Sequence, residues 1–214
     1  MLKSPMRNFL LNSILVLLVS CHKYKPSDSS DRAVPEIKTK FNVPFSRVDT
    51  SYLFKTAANI YGHYLSGLLI IKAYSSDDYR LVFTNEMGVK FFDFEFKNKK
   101  FIVHHVLSKL NRKPVLNILE KDFRLLLSIG LSQTRIHQVE TDSTISISFN
   151  IRKEKCIYIF KKPLKTLSQA KVCAGTGKEK VTIYYNNTRN NIPQNIKIEH
   201  HNIKLEIELN YLQR

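Results

Sequence analysis

The sequence predicts a mainly β (α+β) fold, in which a curved antiparallel sheet forms an incomplete barrel closed by an amphipathic helix. Short segments of alternating apolar and polar residues recur along most of the 214-residue chain, as in strands with one buried face. The 13 Phe and 10 Tyr residues also favour strands. Only one segment changes to the period of a helix. One helix with an apolar stripe can cover the open face of such a sheet.

The first 20 residues have the features of a secretory signal peptide. Lys3 and Arg7 make a basic start, and the apolar run at 9–19 ends in small residues. This run is shorter than the roughly 20 residues that a helix needs to cross a bilayer. Residues 18–21, Leu-Val-Ser-Cys, resemble the bacterial lipobox, so we expect Cys21 to carry acyl chains after cleavage. The alternative is a chance Cys behind an ordinary signal peptide.

Residues 21–40 are predicted to form the lipidated Cys and a flexible tether, followed by one domain at 41–214. The tether is polar, contains Pro and Ser, and follows neither hydrophobic period. The net charge of +16 favours nucleic acid, anionic lipid head groups or acidic glycans as partners. Export and lipidation argue against nucleic acid, because a cytosolic nucleic-acid-binding protein would carry neither signal.

The first part of the domain is predicted to be a β-meander. Strands are expected at 52–61, 64–74 and 79–83, with a turn at 75–78 before the third. A polar, Gly-bearing turn follows at 85–88.

A two-residue hairpin loop at 98–99 sets the register of the next two strands. It would place Phe94 opposite Val103 on one face and Asp93 opposite His104 on the other. The first of these faces would be apolar and bulky, with Phe92, Phe94, Phe96, Phe101 and Val103.

Residues 111–128 form the predicted helix, because their apolar residues recur at spacings of three and four. Asn111 is suited to cap its start and Pro114 to its first turn. Glu120 and Arg124 are spaced for an ion pair on the polar side.

Strand alternation resumes after the helix, at 145–151, 156–160 and 181–185. The last hairpin, with its loop at 201–202, would place two aliphatic pairs inside and two ion pairs outside. The expected pairs are Ile198 with Leu205, Ile196 with Ile207, Glu199 with Lys204 and Lys197 with Glu206.

Cys156 and Cys173 are the two cysteines left after Cys21. If the chain turns back between 160 and 169, they oppose each other, and a disulfide becomes geometrically feasible in an oxidising compartment. Two free cysteines are the alternative.

No set of residues indicates catalysis, a metal or a cofactor, so we expect a protein that is not an enzyme. The histidines lack Cys or carboxylate neighbours at metal-ligand spacing, and Asp77-Asp78 fits a turn. A curved sheet either fills its interior or leaves an apolar cavity. The residues expected to line such a cavity are Phe92, Phe94, Phe96, Phe101, Val103, Ile147, Phe149, Ile196 and Ile207.

Two segments resemble the family of the outer-membrane lipoprotein receptor LolB and its soluble partner LolA, which localise bacterial lipoproteins. Residues 79–88, YRLVFTNEMG, look like the LolB stretch of Tyr-Arg-Leu, apolar residues, Thr-Asn, two residues and Gly. Ile192-Pro193, Ile196 and the closing strand at 203–207 are similar to the family's end, and the order of elements agrees over 52–212. The family's Pro-Leu-Gly loop is Glu86-Met87-Gly88 here, and the Trp residues common on family strands are missing.

The resemblance implies a receptor whose cavity accepts acyl chains of lipoproteins from a periplasmic LolA-like carrier. It also implies that Met87 is an exposed apolar side chain that aids insertion into the bilayer. The protein would be anchored by lipid to the bacterial outer membrane, facing the periplasm. Two alternatives remain: a binder of another lipid or glycolipid with the same fold, and a structural or adhesive surface lipoprotein with a filled core.

Overall fold

The computed structural model describes residues 31–32, 41–131 and 136–213. One antiparallel sheet contains the 13 strands of these residues, in the order β1-β7-β8-β9-β10-β11-β12-β13-β2-β3-β4-β5-β6. The strands are β1 (Asp31–Arg32), β2 (Thr50–Ile60), β3 (His63–Ala73), β4 (Tyr79–Thr84), β5 (Lys90–Lys97), β6 (Lys100–Val106), β7 (Ile136–Glu140), β8 (Thr144–Ile151), β9 (Glu154–Lys161), β10 (Thr166–Ala174), β11 (Glu179–Asn186), β12 (Asn195–His200) and β13 (Leu205–Tyr211); helix α1 (Lys113–Leu126) follows a short 3-10 helix (Ser108–Leu110).

The sheet is curved and open, because its edge strands β1 and β6 do not pair with each other. It consists of two meanders, β2–β6 and β7–β13, which are joined where β13 pairs with β2. Helix α1 lies between the meanders in the sequence and covers the inner face. The predicted fold class is therefore confirmed.

Alternating burial explains why the predicted strands lie where they were expected. In β4, Tyr79, Leu81 and Phe83 are buried and the intervening residues are partly exposed. The same period of two places one side of each strand in a core that is continuous across the described residues.

The start of α1 differs from the sequence prediction. Pro114 lies in the first turn, and the Glu120 carboxylate accepts a 2.9 Å hydrogen bond from Nε of Arg124, as expected. The capping role of Asn111 was wrong, because Asn111 ends the preceding 3-10 helix. Arg112 occupies the N-cap position and makes no side-chain capping bond.

The β5–β6 hairpin has the predicted register only near its loop. Phe96 faces Phe101 and Phe94 faces Val103, but the register then shifts by one residue. Asp93 therefore faces His105 rather than His104, so the predicted pair was wrong. An extra residue in one strand, a β-bulge, produces such a shift.

The β12–β13 hairpin is shifted by two residues, because its loop spans 201–204 instead of 201–202. Ile198 faces Ile207, and Lys197 faces Glu208. All four predicted pairings were wrong in register, but a shift of two leaves each residue on its predicted face. Nζ of Lys197 still reaches Glu206, at 3.2 Å, along a diagonal.

Cys156 and Cys173 are both buried and free. Cys156 faces Val172, because the chain turns back earlier than predicted, with Thr166 opposite Lys161, and the irregularity between Leu167 and Gln169 restores only one residue of the difference. The predicted opposition of the two cysteines was therefore wrong, and the free-thiol alternative holds. Burial raises the pKa of the Cys156 thiol to about 11, which leaves it a weak nucleophile at neutral pH.

Gly67 marks a close approach of β3 to the end of β4. A Cβ atom added to Gly67 would lie 1.9 Å from the carbonyl oxygen of Thr84. Only glycine fits where two backbones come this close.

Within the segment predicted to be a tether, Asp31–Arg32 form β1 and pair with β7. The signal segment at 1–20, Cys21 and the rest of the tether lie outside the described residues. None of the helices in the described part of the chain has the length and apolar character of a bilayer span.

Candidate functional site

A cavity of about 350 Å³ lies between α1 and the strands β8 to β12. The helical side of its wall comes from residues three or four apart, which places them on one face of α1. Ile118, Asp122 and Leu125 are on this face, and Ile129 continues it beyond the helix.

The sheet side of the cavity is mainly apolar. Strand alternation directs every second side chain of each strand towards the helix. These residues are Phe149 and Ile151 on β8, Cys156 and Tyr158 on β9, Val172 on β10, Val181 on β11 and His200 on β12, with Asn202 and Ile203 in the last loop.

Charged side chains border the cavity where it opens to solvent. The Glu154 carboxylate lies 2.7 Å from Nζ of Lys180 and 3.2 Å from Nζ of Lys121. The hydrogen bond from Lys180 is the main cause of a lowered pKa at Glu154, so its carboxylate is charged at neutral pH. We call these three residues the charged rim; together they carry one net positive charge.

A buried pair connects the helix to the sheet at the cavity wall. Nε2 of His200 lies 2.9 Å from Oδ2 of Asp122, and their side chains are 7% and 2% exposed. Burial raises the pKa of Asp122, and the hydrogen bond with His200 opposes this shift. Because each group is the other's hydrogen-bond partner, neither remains unpaired in the apolar wall.

Two tyrosine hydroxyls hold the C-terminal end of α1 against the sheet. Tyr185 donates to the carbonyl oxygen of Leu126 at 3.1 Å, and Tyr158 donates to that of Leu125 at 3.4 Å. The last carbonyls of a helix have no partner within the helix, so these bonds complete them. Burial raises the pKa of both hydroxyls, which therefore stay protonated.

The other half of the interior, under β2 to β6, is filled. The rings of Phe92 and Phe94 stack with centroids 4.3 Å apart, and Phe123 of α1 lies 5.5 Å from Phe92. A void of about 10 Å³, bordered by Phe92, Ile207 and their neighbours, remains there.

The nine residues expected to line a cavity are therefore dispersed. Phe149 lines the large cavity, and Phe92 and Ile207 border the small void. Val103 is 38% exposed, on the bulged edge strand β6. The others lie in the packed core, with Phe101 half-buried at its margin: Phe94, Phe96, Phe101, Ile147 and Ile196.

Most of the actual lining was not among these predicted residues. The available signal was Asp122, an acidic residue on a helical face with Ile118, Leu125 and Ile129. A carboxylate is rarely buried without a partner, so its place on this face indicated a polar contact inside the fold.

Met87 projects from the β4–β5 turn and is 89% exposed. The Asn85 side-chain oxygen accepts hydrogen bonds from the backbone N–H of Met87 and of Val89, at 3.0 and 2.8 Å, which fixes the turn. Val89 is also exposed. The turn thus presents two apolar side chains to solvent.

The strand registers place this turn and the cavity at the same end of the sheet. The β12–β13 loop, whose residues line the cavity, lies beside the β2–β3 turn, because Leu205 pairs with Ile60. The β4–β5 turn points towards the same end, because Thr84, the last residue of β4, pairs with Leu68 in the middle of β3. Tyr64, 69% exposed at the start of β3, adds a third exposed apolar group there.

Among the residues that the structure describes, no group of three or more His, Cys, Asp or Glu side chains is placed to hold a metal ion.

Comparison with solved structures identifies the architecture. A LolA superfamily protein from Nitrosomonas europaea is 11% identical, with a TM-score of 0.58 over 85% of this chain and 92% of that one. The chain has a LolA-like fold. A putative outer membrane lipoprotein-sorting protein domain from Vibrio parahaemolyticus is 9% identical, with a TM-score of 0.49 over 84% and 90% of the two chains.

No protein-family model matches the sequence, and no curated protein matches it. The resemblance noted in the sequence is thus supported for the LolA-like fold, and not for LolB specifically.

Proposed function

We propose that this chain is a bacterial lipoprotein that takes acyl chains into the cavity under α1 and, like a LolB-type receptor, delivers them to the outer membrane. The observation that carries the proposal is a mainly apolar cavity of about 350 Å³ that opens at the end of the sheet bearing Met87. Each CH₂ group of an acyl chain that leaves water for such a site gains about 0.8 kcal/mol.

The ligand would be the acyl part of a lipoprotein or another lipid, received from a LolA-like carrier in the periplasm. Transfer needs only a cavity that binds the chain better than the carrier does, and release into a bilayer is then favourable. Neither step requires a nucleotide or a metal. Met87 would enter the membrane interface at the end of the sheet where the cavity opens and would help the chain into the bilayer.

Anchoring would depend on Cys21, with the domain facing the periplasm from the outer membrane. One acyl chain binds a membrane only marginally, whereas two or more anchor stably. Replacing Cys21 by Ser should therefore move the protein into the soluble periplasmic fraction, and membrane retention of this variant would contradict a purely lipid anchor.

Native mass spectrometry of the purified protein tests the cavity. We expect an adduct with the mass of an acylated molecule in the wild type and its loss in Val172→Phe, which fills the cavity from β10. Ile157→Phe is the matched control, because Ile157 neighbours Cys156 and Tyr158 on β9 but points to the opposite face. A wild-type protein without an adduct would favour a structural or adhesive lipoprotein, and equal loading of both variants would contradict binding in this cavity.

A further inference from the structure

The charged rim lies next to an apolar cavity whose size limits what it can hold. Ligand sites in proteins commonly measure about 300 to 1,000 Å³, so 350 Å³ is near the lower limit. The neighbouring interior offers no extension, because the aromatic core under β2 to β6 leaves a void of only about 10 Å³. The cavity thus suits one acyl chain better than several.

The charges on the lining are mainly positive. Lys121, Arg124 and Lys180 are cationic, Glu154 is anionic, and Asp122 is paired with His200. Arg124 is already bonded to the Glu120 carboxylate and the Lys99 carbonyl. Lys121 and Lys180 share one carboxylate, that of Glu154, so the charged rim keeps one net positive charge with which to meet an anionic ligand.

The carboxylate of Glu154 shows the geometry that an anion adopts between these lysines. It is held by both Nζ atoms, at 2.7 and 3.2 Å. The Lys121 side chain is 67% exposed and so can turn towards a second anion at the opening. Hydrogen bonds between ions are roughly twice as strong as neutral ones, so such an anion would be favoured over an uncharged group.

We propose that the cavity binds an amphiphile with one acyl chain and one anionic head group, with the chain under α1 and the head group at the opening, beside Lys121 and Lys180. This inference rests on the proposed function, because it requires the cavity to hold an acyl chain. A carboxylate would come from a fatty acid and a phosphate from a lysophospholipid.

Calorimetric titration of the purified, lipid-free protein with matched 12-carbon amphiphiles tests the proposal. Dodecanoate and dodecyl phosphate should each bind at least about tenfold more tightly than dodecanol, since charge-assisted hydrogen bonds add to chain burial. Dodecyltrimethylammonium should bind no more tightly than dodecanol. Tighter binding of dodecanoate would indicate a fatty acid as the source, and tighter binding of dodecyl phosphate a lysophospholipid. Didodecyl phosphate should bind at least about tenfold less tightly than dodecyl phosphate, because only one chain fits.

A double variant, Lys121→Gln with Lys180→Gln, should lose the preference for anions while its dodecanol affinity stays within about twofold, because the apolar wall is intact. The matched control is Lys153→Gln with Lys178→Gln, which removes the same charge from exposed turns at the same end of the sheet. The control should keep the preference.

Three results would overturn the inference alone: dodecanol binding with no preference for anions, equal loss of the preference in both double variants, or two-chain binding as tight as one-chain binding. Failure of every amphiphile to bind, dodecanol included, would overturn the proposed function together with this inference.

Discussion

The two halves of the sheet are closed by the same helix, yet one is filled and the other hollow. Under β2 to β6, the helix contributes Phe123, which packs against the stacked rings of Phe92 and Phe94. Under β8 to β12, it contributes Ile118 and Leu125 but no ring, and the cavity remains beside the sheet's own rings of Phe149 and Tyr158.

This difference shows that the side chains of the covering helix decide whether the space under a curved sheet is filled or left as a cavity. A large ring on the helix fills one side. On the other side, Asp122 and His200 form a buried contact that connects helix and sheet at the wall. A polar contact fixes the separation of two elements without filling the space beside it.

The two halves should differ most in how much stability they lose when a buried side chain is truncated. Phe94→Ala should lower the free energy of unfolding by about 3 to 5 kcal/mol, because the aromatic core cannot collapse around the missing ring. Val172→Ala, on the cavity wall, should also lower the free energy of unfolding. The loss should exceed the transfer free energy of the removed methyl groups by less than about 1 kcal/mol, because the change enlarges an existing space. Chemical denaturation of both variants checks the contrast, and equal costs per removed carbon would contradict it.

Asp93, on the outer face of the packed half of the sheet, should stabilise the fold at neutral pH. Hydrogen bonds from Arg80, at 2.9 and 3.1 Å, lower the pKa of this buried carboxyl. Asp93→Asn should therefore cost about 1 to 2 kcal/mol at pH 7, given a half-exposed Arg80. A lowered pKa gives stability that is present above the ordinary value of about 3.9 and is lost on acidification. The difference in unfolding free energy should vanish in acid, and a constant difference down to pH 2 would argue against this ion pair.

Asp122, on the hollow side, should show the opposite trend. Burial raises its pKa, so the folded protein retains a proton that the unfolded chain releases above about pH 3.9. Compared with Asp122→Asn, the wild type should have its highest relative stability below about pH 3.9 and should lose stability as the pH rises. Thermal unfolding at several pH values measures the slope. The same sign of slope for Asp93 and Asp122 would contradict the assigned environments.

The smallest effect on stability is expected at the exposed β4–β5 turn. A change there should instead affect the delivery of lipid to membranes. Met87→Glu should leave the thermal midpoint unchanged and slow lipid transfer to liposomes, because a carboxylate resists entry into the interface. Val48→Glu is the control, since Val48 is also an exposed apolar residue but precedes β2 at the opposite end of the sheet. Similar transfer by both variants would remove Met87 from the mechanism.

The sequence predicted where strands lie better than how they pair. Alternation with a period of two locates a strand and its inner face, so Phe94 and Ile196 were assigned to the correct side. Register depends on bulges and loop lengths, which leave little trace in composition. The extra residue near His104 changed the predicted register of the β5–β6 hairpin, and the four-residue loop at 201–204 changed that of the β12–β13 hairpin.

The cavity was harder to predict than the fold, because its position depends on which part of the sheet the helix faces. The apolar positions of the two halves look alike along the chain, and Phe92 and Phe149 were expected to share one cavity. The tertiary packing of Phe123 separates them, since it fills the space beside Phe92 but not the space beside Phe149.

The pairing of β13 with β2 has a consequence for how the chain reaches this structure. Leu209, near the end of the sequence, pairs with Thr56, so the sheet is continuous only after the final strand has docked. Closing a loop of this length before gaining any contact costs entropy and slows folding. Until β13 pairs with it, β2 has one unpaired edge, and an unpaired edge is a template on which another chain can add a strand.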